Sequence, residues 1–259
     1  MPEARSHHVT FTTDSGIVAT CGGRSGRDPL NSCIVWNIEG KKWERIPSKV
    51  QDLPENRLAA TSVNVPGTGV FILGGDSPSQ RNSSLLLRSG MNSWTNGPPL
   101  PGTAYRGCSV FIGGGSFLLI GGRSSERQVR EYSDSNGWEP QESWPQLKIG
   151  RYGHGCGIVG DKVVVAGGYG KTTTEIIDIS KRIIYPGGSL NWPRYAFAMV
   201  SLGPFGNQTL YSMGGEDQGT YLGSVERWIG TTGTWVMDKR IIDQKSWMGF
   251  TVITNILVC

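Results

Sequence analysis

Short apolar runs that end in a pair of glycines recur five times along this chain. Where apolar residues in these runs alternate with small or polar ones, the pattern is the period-two signal of β-strands packed face to face. The pairs are Gly22-Gly23, Gly74-Gly75, Gly121-Gly122, Gly167-Gly168 and Gly214-Gly215. Their first members are 52, 47, 46 and 47 residues apart, a period that accommodates four short strands per unit. The pattern predicts an all-β chain made of repeated four-stranded units.

Two further features recur in register with the glycine pairs. A second apolar stretch and a short turn are followed by one large aromatic residue, namely Trp43, Trp94, Trp138, Tyr185 and Trp235. An arginine then opens the next unit, and these arginines are Arg5, Arg57, Arg106, Arg151 and Arg194. Glycine pair, aromatic residue and arginine together resemble kelch repeats, and the resemblance covers nearly the whole chain. It implies a β-propeller whose blades each hold strands a to d, with the glycine pair at the end of strand b.

The blade count depends on the last segment of the chain. Residues 246–259 match strands a and b of another unit, with Trp247 in the position of the arginine. We therefore expect six blades with the last one half-built, and five blades plus a terminal hairpin is the alternative. One domain is expected over 1–259, with repeats at approximately 5–56, 57–105, 106–150, 151–193, 194–245 and, in part, 246–259.

Composition and charge narrow the class of protein. Glycine makes up 38 of 259 residues, roughly twice the average share, which argues against a helical bundle. The net charge of +4 comes from scattered basic residues, so neither nucleic acid nor a membrane surface is indicated as a partner. The start of the sequence has no signal-peptide pattern, which predicts a cytoplasmic protein, or an extracellular one if a signal peptide has been removed. The sequons at Asn82 and Asn207 would matter only in a secreted chain.

The cysteines show neither a disulfide pattern nor a zinc-site pattern. There are five, an odd number without a CxxC pair, and this argues against both a disulfide framework and a zinc site. Cys108 and Cys156 are interpreted as buried small hydrophobic residues. Cys21 and Cys259 align in neighbouring units, so an oxidised pair between them stays open.

Catalytic chemistry finds little support in the sequence. His8 and His154 each lie three residues after a repeat arginine, which predicts equivalent structural positions. We identify no catalytic residue, no metal ligand and no cofactor site, and we assign the repeat arginines a packing or capping role. These observations indicate a protein that is not an enzyme.

A binding surface is expected on the b–c and d–a loops, which in kelch propellers emerge on one face. Aromatic and arginine side chains are typical of interface hot spots. The candidate partner-binding residues are Arg24, Asp76, Tyr105, Arg123, Trp144, Tyr152, Tyr169, Trp192, Glu216 and Trp247. For Trp144 and Trp192, packing between blades is the alternative. The predicted function is a scaffold that binds a protein or peptide, and the arginines directly after two glycine pairs suggest an acidic one.

A second hypothesis comes from the same resemblance. Some propellers of this kind act on small sugars in the central channel, as mutarotases or oxidases do, and the aromatic loop residues could stack on a sugar ring. A buried carboxylate or histidine with a perturbed pKa in a polar channel would favour this carbohydrate-handling alternative over protein binding.

Overall fold

A computed structural model describes residues 2–203, 208–230 and 233–240 of the chain. These residues form five four-stranded antiparallel sheets, the blades of a β-propeller, and one short 3₁₀ helix, Gln141–Ser143. The all-β prediction is therefore confirmed, and five blades fit the alternative of five blades plus a hairpin. The half-built sixth unit, including Trp247 and Cys259, lies outside the described residues. The chain divides into two compact units, and the boundary lies between Tyr105 and Arg106.

The first unit contains blades 1 and 2. Blade 1 and its b–c hairpin comprise β1 (Val9–Thr12), β2 (Val18–Cys21), β3 (Arg24–Ser25), β4 (Asp28–Pro29), β5 (Cys33–Asn37) and β6 (Lys42–Glu44). Blade 2 comprises β7 (Thr61–Val65), β8 (Gly69–Leu73), β9 (Ser84–Arg88) and β10 (Trp94–Asn96). The strand orders are β1-β2-β5-β6 and β7-β8-β9-β10, which are strands a to d of each blade, while β3 pairs with β4 alone.

The second unit contains blades 3, 4 and 5. Blade 3 comprises β11 (Cys108–Gly113), β12 (Ser116–Ile120), β13 (Val129–Ser133) and β14 (Gly137–Trp138). Blade 4 comprises β15 (Gly155–Val159), β16 (Lys162–Ala166), β17 (Thr174–Asp178) and β18 (Ile183–Gly187). Blade 5 and its b–c hairpin comprise β19 (Ala198–Leu202), β20 (Thr209–Met213), β21 (Glu216–Asp217), β22 (Thr220–Tyr221), β23 (Ser224–Ile229) and β24 (Thr234–Arg240). Strands a to d of blade 5 are β19, β20, β23 and β24.

The b strands supply the core because both of their faces are covered. In β16, Val163 and Val165 pack into the cluster shared with blade 3, whereas Val164 and Ala166 pack into the cluster shared with blade 5. All four are at most 1% exposed. Since successive side chains of a strand point to opposite faces, a run that is apolar throughout fills the layers on both sides of one blade.

The glycine pairs are needed where strand b ends against the next blade. All ten of these glycines have positive φ, the region that side chains rarely adopt. Gly168 N donates to the carbonyl oxygen of Arg194 at 2.8 Å, and a Cβ on Gly167 would lie 2.7 Å from the same oxygen. A side chain at Gly167 would therefore separate blades 4 and 5.

Two disulfides overturn the argument from the cysteine count against a disulfide framework. Cys21 on β2 bonds to Cys33, its direct partner on β5, with Cα atoms 4.1 Å apart. Cys108 on β11 bonds to Cys156 on β15, with Cα atoms 6.0 Å apart, and so joins the a strands of blades 3 and 4. Interpreting Cys108 and Cys156 as buried small hydrophobic residues missed their bridge, and Cys21 is not available to Cys259. The pairing of cysteines is decided by which strands become neighbours in the fold. An odd cysteine count carries no information on this.

Candidate functional site

Four repeat arginines cap the turn that leads from strand b to strand c of their own blade. Each places Nη1 on the carbonyl oxygen of the first glycine of the pair and Nη2 on a Ser or Thr hydroxyl just before strand c or, in blade 5, at its first residue. They are Arg5, Arg57, Arg151 and Arg194. The predicted capping role agrees with these contacts. The Nη groups of these arginines are therefore used inside the fold.

In blades 4 and 5 the capping arginine also pairs with a buried glutamate. Arg194 lies 2.9 Å from Glu226, and both side chains are 0% exposed. Glu226 also accepts hydrogen bonds from the backbone and side-chain amide of Asn191, both at 2.7 Å. Burial lowers the pKa of Arg194, while the charge of Glu226 acts in the opposite direction. The pair fixes the d–a loop, which carries candidate partner-binding residues, to the core of the blade.

Arg106 does not cap blade 3, so its assignment as a repeat arginine was wrong. It has a positive φ of 57°, and its carbonyl oxygen accepts a 2.7 Å hydrogen bond from Gly153 N. Gly153 stands two residues after Arg151, and its own carbonyl oxygen accepts from Ala196 N, two residues after Arg194. Arg106 therefore occupies this later position, and Ala104 stands where the capping arginine would be.

Blade 3 also differs at the glutamate position. Glu175 and Glu226 lie two residues after the Thr or Ser that follows the b–c loop, and the matching residue of blade 3 is Arg130. Arg130 is 2% exposed, and burial lowers its pKa to about 10. Blade 3 thus places a cation where blades 4 and 5 place an anion.

The loop face has a repeated geometry that brings several predicted residues together. The residue directly after a glycine pair lies beside the residue directly after the capping arginine. Backbone hydrogen bonds of 2.9–3.3 Å make this contact for Arg24 with Ser6, for Tyr169 with Tyr152 and for Glu216 with Tyr195. The b–c and d–a loops therefore meet side by side within each of these blades, as the sequence predicts.

In the second unit this geometry assembles a tyrosine cluster, which we define as Tyr152, Tyr169 and Tyr195. Tyr152 and Tyr169 stack with centroids 5.9 Å apart, and each packs edge-on against Tyr195 at 5.9 and 5.5 Å. Arg106 Nη1 donates to the Tyr195 hydroxyl, and the guanidinium lies 5.5 Å from the Tyr195 ring centroid. Tyr195 is buried, whereas Tyr169 is 55% exposed. The cluster therefore exposes the Tyr169 ring to solvent, while Tyr152 and Tyr195 hold that ring in place.

The other predicted partner-binding residues fall into three groups. Trp192 is 50% exposed, Arg24 and Arg123 are exposed, and Asp76 and Glu216 are half-buried. Trp144 and Tyr105 are buried. Trp247 lies outside the described residues.

Trp144 and Tyr105 have local packing partners. Trp144 Nε1 donates to Glu131 at 2.9 Å, and the Arg182 guanidinium covers the Trp144 ring at 5.0 Å. Tyr105 packs against Arg81 at 5.6 Å. Packing, the alternative considered for Trp144, accounts for its contacts.

Sequence analysis missed Arg106 and Tyr221 as surface candidates on this face. Tyr221 is 51% exposed in the b–c hairpin of blade 5. Spacing gives only a partial signal for this register. Arg5, Arg57 and Ala104 precede the first glycine of their pair by 17 residues and Arg106 by 15, but Arg151 and Arg194 precede theirs by 16 and 20. A tyrosine directly follows the capping position in blades 3, 4 and 5, as Tyr105, Tyr152 and Tyr195.

His8 and His154 lie directly before the innermost strands β1 and β15, where His154 is buried and His8 is half-buried, and both are neutral. Burial lowers the pKa of His154 to about 3, with a further contribution from the charge of Arg151. Burial and Arg5 lower the pKa of His8 to about 4 in the same way. Both histidines follow a capping arginine by three residues, so their perturbed pKa values arise from the repeat itself and not from a local catalytic arrangement.

Acid should destabilise the protein through these two histidines. Each is neutral when folded and has a pKa near 6.5 when unfolded, so its contribution to stability is complete above pH 6.5 and is lost as pH falls toward the folded-state value. Between pH 7.5 and pH 5 we expect a loss of about 2 kcal/mol for each histidine. Urea denaturation of the wild type and His154→Gln at both pH values measures this. Between pH 7.5 and pH 5, His154→Gln should lose about half as much free energy of unfolding as the wild type. Equal losses in the two proteins would contradict the assignment of His154 as a buried neutral histidine.

In the described ranges, no three His, Cys, Asp or Glu side chains come together in a way that could hold a metal ion. The helices of those same ranges include none long and apolar enough to cross a membrane.

Comparison with known proteins identifies the repeat. The kelch motif matches residues 5–49, which run from the capping Arg5 to just beyond the last strand of blade 1. No curated protein matches the chain. The kelch motif in blade 1 and the five four-stranded blades together support a kelch-repeat β-propeller.

Proposed function

We propose that this protein is a non-enzymatic scaffold that binds a protein or peptide through the b–c and d–a loops of blades 4 and 5. In general, a kelch propeller fold suggests a scaffold for protein interactions. The observation that carries the proposal is the tyrosine cluster with its exposed Tyr169 ring.

Exposed aromatic rings concentrate on these loops. Tyr169, Trp192 and Tyr221 are 55%, 50% and 51% exposed, and each lies in a b–c or d–a loop of blade 4 or 5. Large aromatic side chains in such positions supply contact area at low cost in conformational entropy. Because Tyr152 and Tyr195 already hold Tyr169, little further ordering is needed when a partner binds.

The charges of these loops are mixed. Lys171 follows the tyrosine cluster in the b–c loop of blade 4, whereas Glu216 and Asp217 occupy the b–c loop of blade 5. An acidic partner would therefore contact the blade 4 side, and its binding would weaken as the salt concentration rises. The acidic character of the partner stays a prediction.

Removing either of two aromatic rings should weaken partner binding at least tenfold. Hot-spot aromatic residues each contribute about 2 kcal/mol or more, and a tenfold loss corresponds to about 1.4 kcal/mol. The variants are Tyr169→Ala and Trp192→Ala, and the readout is capture from a native extract, followed by titration of the purified partner. Ile183→Ala is the matched control, because Ile183 is 48% exposed but lies on the outermost strand of blade 4.

The control variant should bind within twofold of the wild type. Equal binding by all four proteins would rule out this loop face as the binding site. Folding of each variant is checked by its urea midpoint, so that loss of binding is separated from loss of structure.

A carbohydrate-handling function is the second candidate, because exposed tyrosine and tryptophan rings also stack on sugars. Titration of a panel of free sugars against the wild type and Tyr169→Ala separates the two. Saturable sugar binding that the Tyr169→Ala variant loses, together with no protein partner, would favour this second candidate.

A further inference from the structure

We propose that this protein folds in an oxidising secretory compartment and that Asn82 carries an N-linked glycan there. The inference rests on three features: the two disulfides, the exposure of Asn82 and the sequon that follows it. It does not depend on the proposed binding function.

The disulfides indicate the compartment. The two bridges use four of the five cysteines in the chain, and all four are located on β-strands of the repeat. The bridges tie strand b to strand c in blade 1 and join the a strands of blades 3 and 4. Stable structural disulfides persist in secreted and luminal proteins and are rare where glutathione and thioredoxin keep thiols reduced. Two structural disulfides therefore fit a secretory location better than the cytoplasmic location predicted from the sequence.

Asn82 is placed for modification. It lies in the b–c loop of blade 2, two residues before the start of β9, and its side chain is exposed. The loop backbone is ordered, because the Asn82 carbonyl oxygen accepts a 2.8 Å hydrogen bond from Leu100 N. Within the described part of the chain, no hydrogen bond uses the Asn82 side-chain amide. A glycan on this nitrogen would therefore extend into solvent without displacing any contact.

The sequon serine constrains when the transfer takes place. Ser84, the third residue of Asn82-Ser83-Ser84, is 3% exposed, and its hydroxyl donates to the Pro98 carbonyl oxygen at 2.6 Å. A transferase must contact this hydroxyl, so the folded loop is a poor acceptor. The modification therefore precedes completion of blade 2, which fits transfer to a chain still being synthesised.

The chemistry is a substitution at a sugar carbon. The Asn82 side-chain nitrogen bonds to the anomeric carbon of a lipid-linked oligosaccharide, the bond from that carbon to the lipid pyrophosphate breaks, and the amide loses one proton. The co-reactant is the lipid pyrophosphate-linked oligosaccharide of the secretory membrane. No electrons are transferred in this step.

The test uses protein isolated from its natural source. Treatment with an amidase that removes N-glycans, in ¹⁸O-labelled water, converts a glycosylated asparagine to labelled aspartate. We expect the peptide containing Asn82 to gain this label. We also expect Cys108 and Cys156 to resist alkylation until the protein is reduced. An unlabelled Asn82 peptide, or free Cys108 and Cys156 thiols, would overturn the proposal.

The glycosylation site is assigned by expressing the protein with an added signal peptide in eukaryotic cells and comparing the masses of the secreted variants. Asn82→Gln and Ser84→Ala should each remove the same glycan mass, because either change destroys the sequon. Asn207→Gln is the matched control at the other sequon, and it should leave the Asn82 glycan in place. Secretion of folded wild-type protein whose mass is unchanged in Asn82→Gln would overturn the proposed site, whatever partner the loop face binds.

Discussion

Replacement of Arg194 by alanine should lower the free energy of unfolding by about 3–5 kcal/mol, the range measured when one member of a buried ion pair is removed. Arg194 donates to the Gly214 and Ser224 carbonyl oxygens at 2.7 and 3.0 Å and pairs with Glu226 at 2.9 Å. The alanine variant leaves the Glu226 carboxylate buried without its cation. It also leaves the two carbonyl oxygens without their donor. Urea denaturation followed by tryptophan fluorescence measures the change.

Arg182→Ala is the matched control for this measurement. Arg182 pairs with Glu131 at 3.0 Å, nearly the same distance, but its side chain is 45% exposed. An exposed pair contributes about 0–1 kcal/mol, so the control should lose little stability. Arg194→Lys should recover only part of the loss, because an ammonium group cannot reproduce the planar set of guanidinium contacts. If both alanine variants were destabilised equally, burial would not be what makes Arg194 important.

Removal of the Cys108–Cys156 disulfide should cost more stability than removal of Cys21–Cys33. The first closes a separation of 48 residues and the second a separation of 12. If the bridges act by restricting the unfolded chain, the losses are about 4 and about 3 kcal/mol respectively. The variants are the double alanine replacements at each pair, compared with the wild type by urea denaturation without reductant.

The reductant response provides the control for the disulfide prediction. Dithiothreitol should destabilise the wild type and each double variant, but it should leave a variant lacking all four cysteines unchanged. The same midpoint for wild-type protein with and without reductant would show that the bridges do not form in solution. A larger loss from the Cys21 and Cys33 variant would show that local strand pairing outweighs chain entropy.

The repeat could be predicted from sequence because its signals are local. The run of apolar residues before Gly167 and the glycine pair itself report the conformation of a few neighbouring residues. One local signal was misleading. Arg106 resembles the capping arginine by residue type, but it lies two residues after Ala104, which occupies the capping position of blade 3, and it contacts Tyr195 instead.

The candidate site could be predicted only in part. Tyr152, Tyr169 and Glu216 were placed on the correct loops, because each immediately follows a recognisable marker of the repeat. The stacking of Tyr169 on Tyr152 and the burial of Trp144 could not be predicted. Both depend on which side chains from distant segments fill the same space.

The amino-acid order alone decides the strand pattern and the glycine pairs, because backbone preference and hydrophobic patterning act over a few residues. Only the tertiary structure decides that Cys108 meets Cys156, that Arg194 meets Glu226 and that three tyrosines form one cluster. These contacts join residues that are 48, 32 and up to 43 positions apart in the chain. Which residues meet in these contacts depends on how the strands and blades pack together. The sequence of a single strand does not specify which residues of a neighbouring strand will lie opposite it.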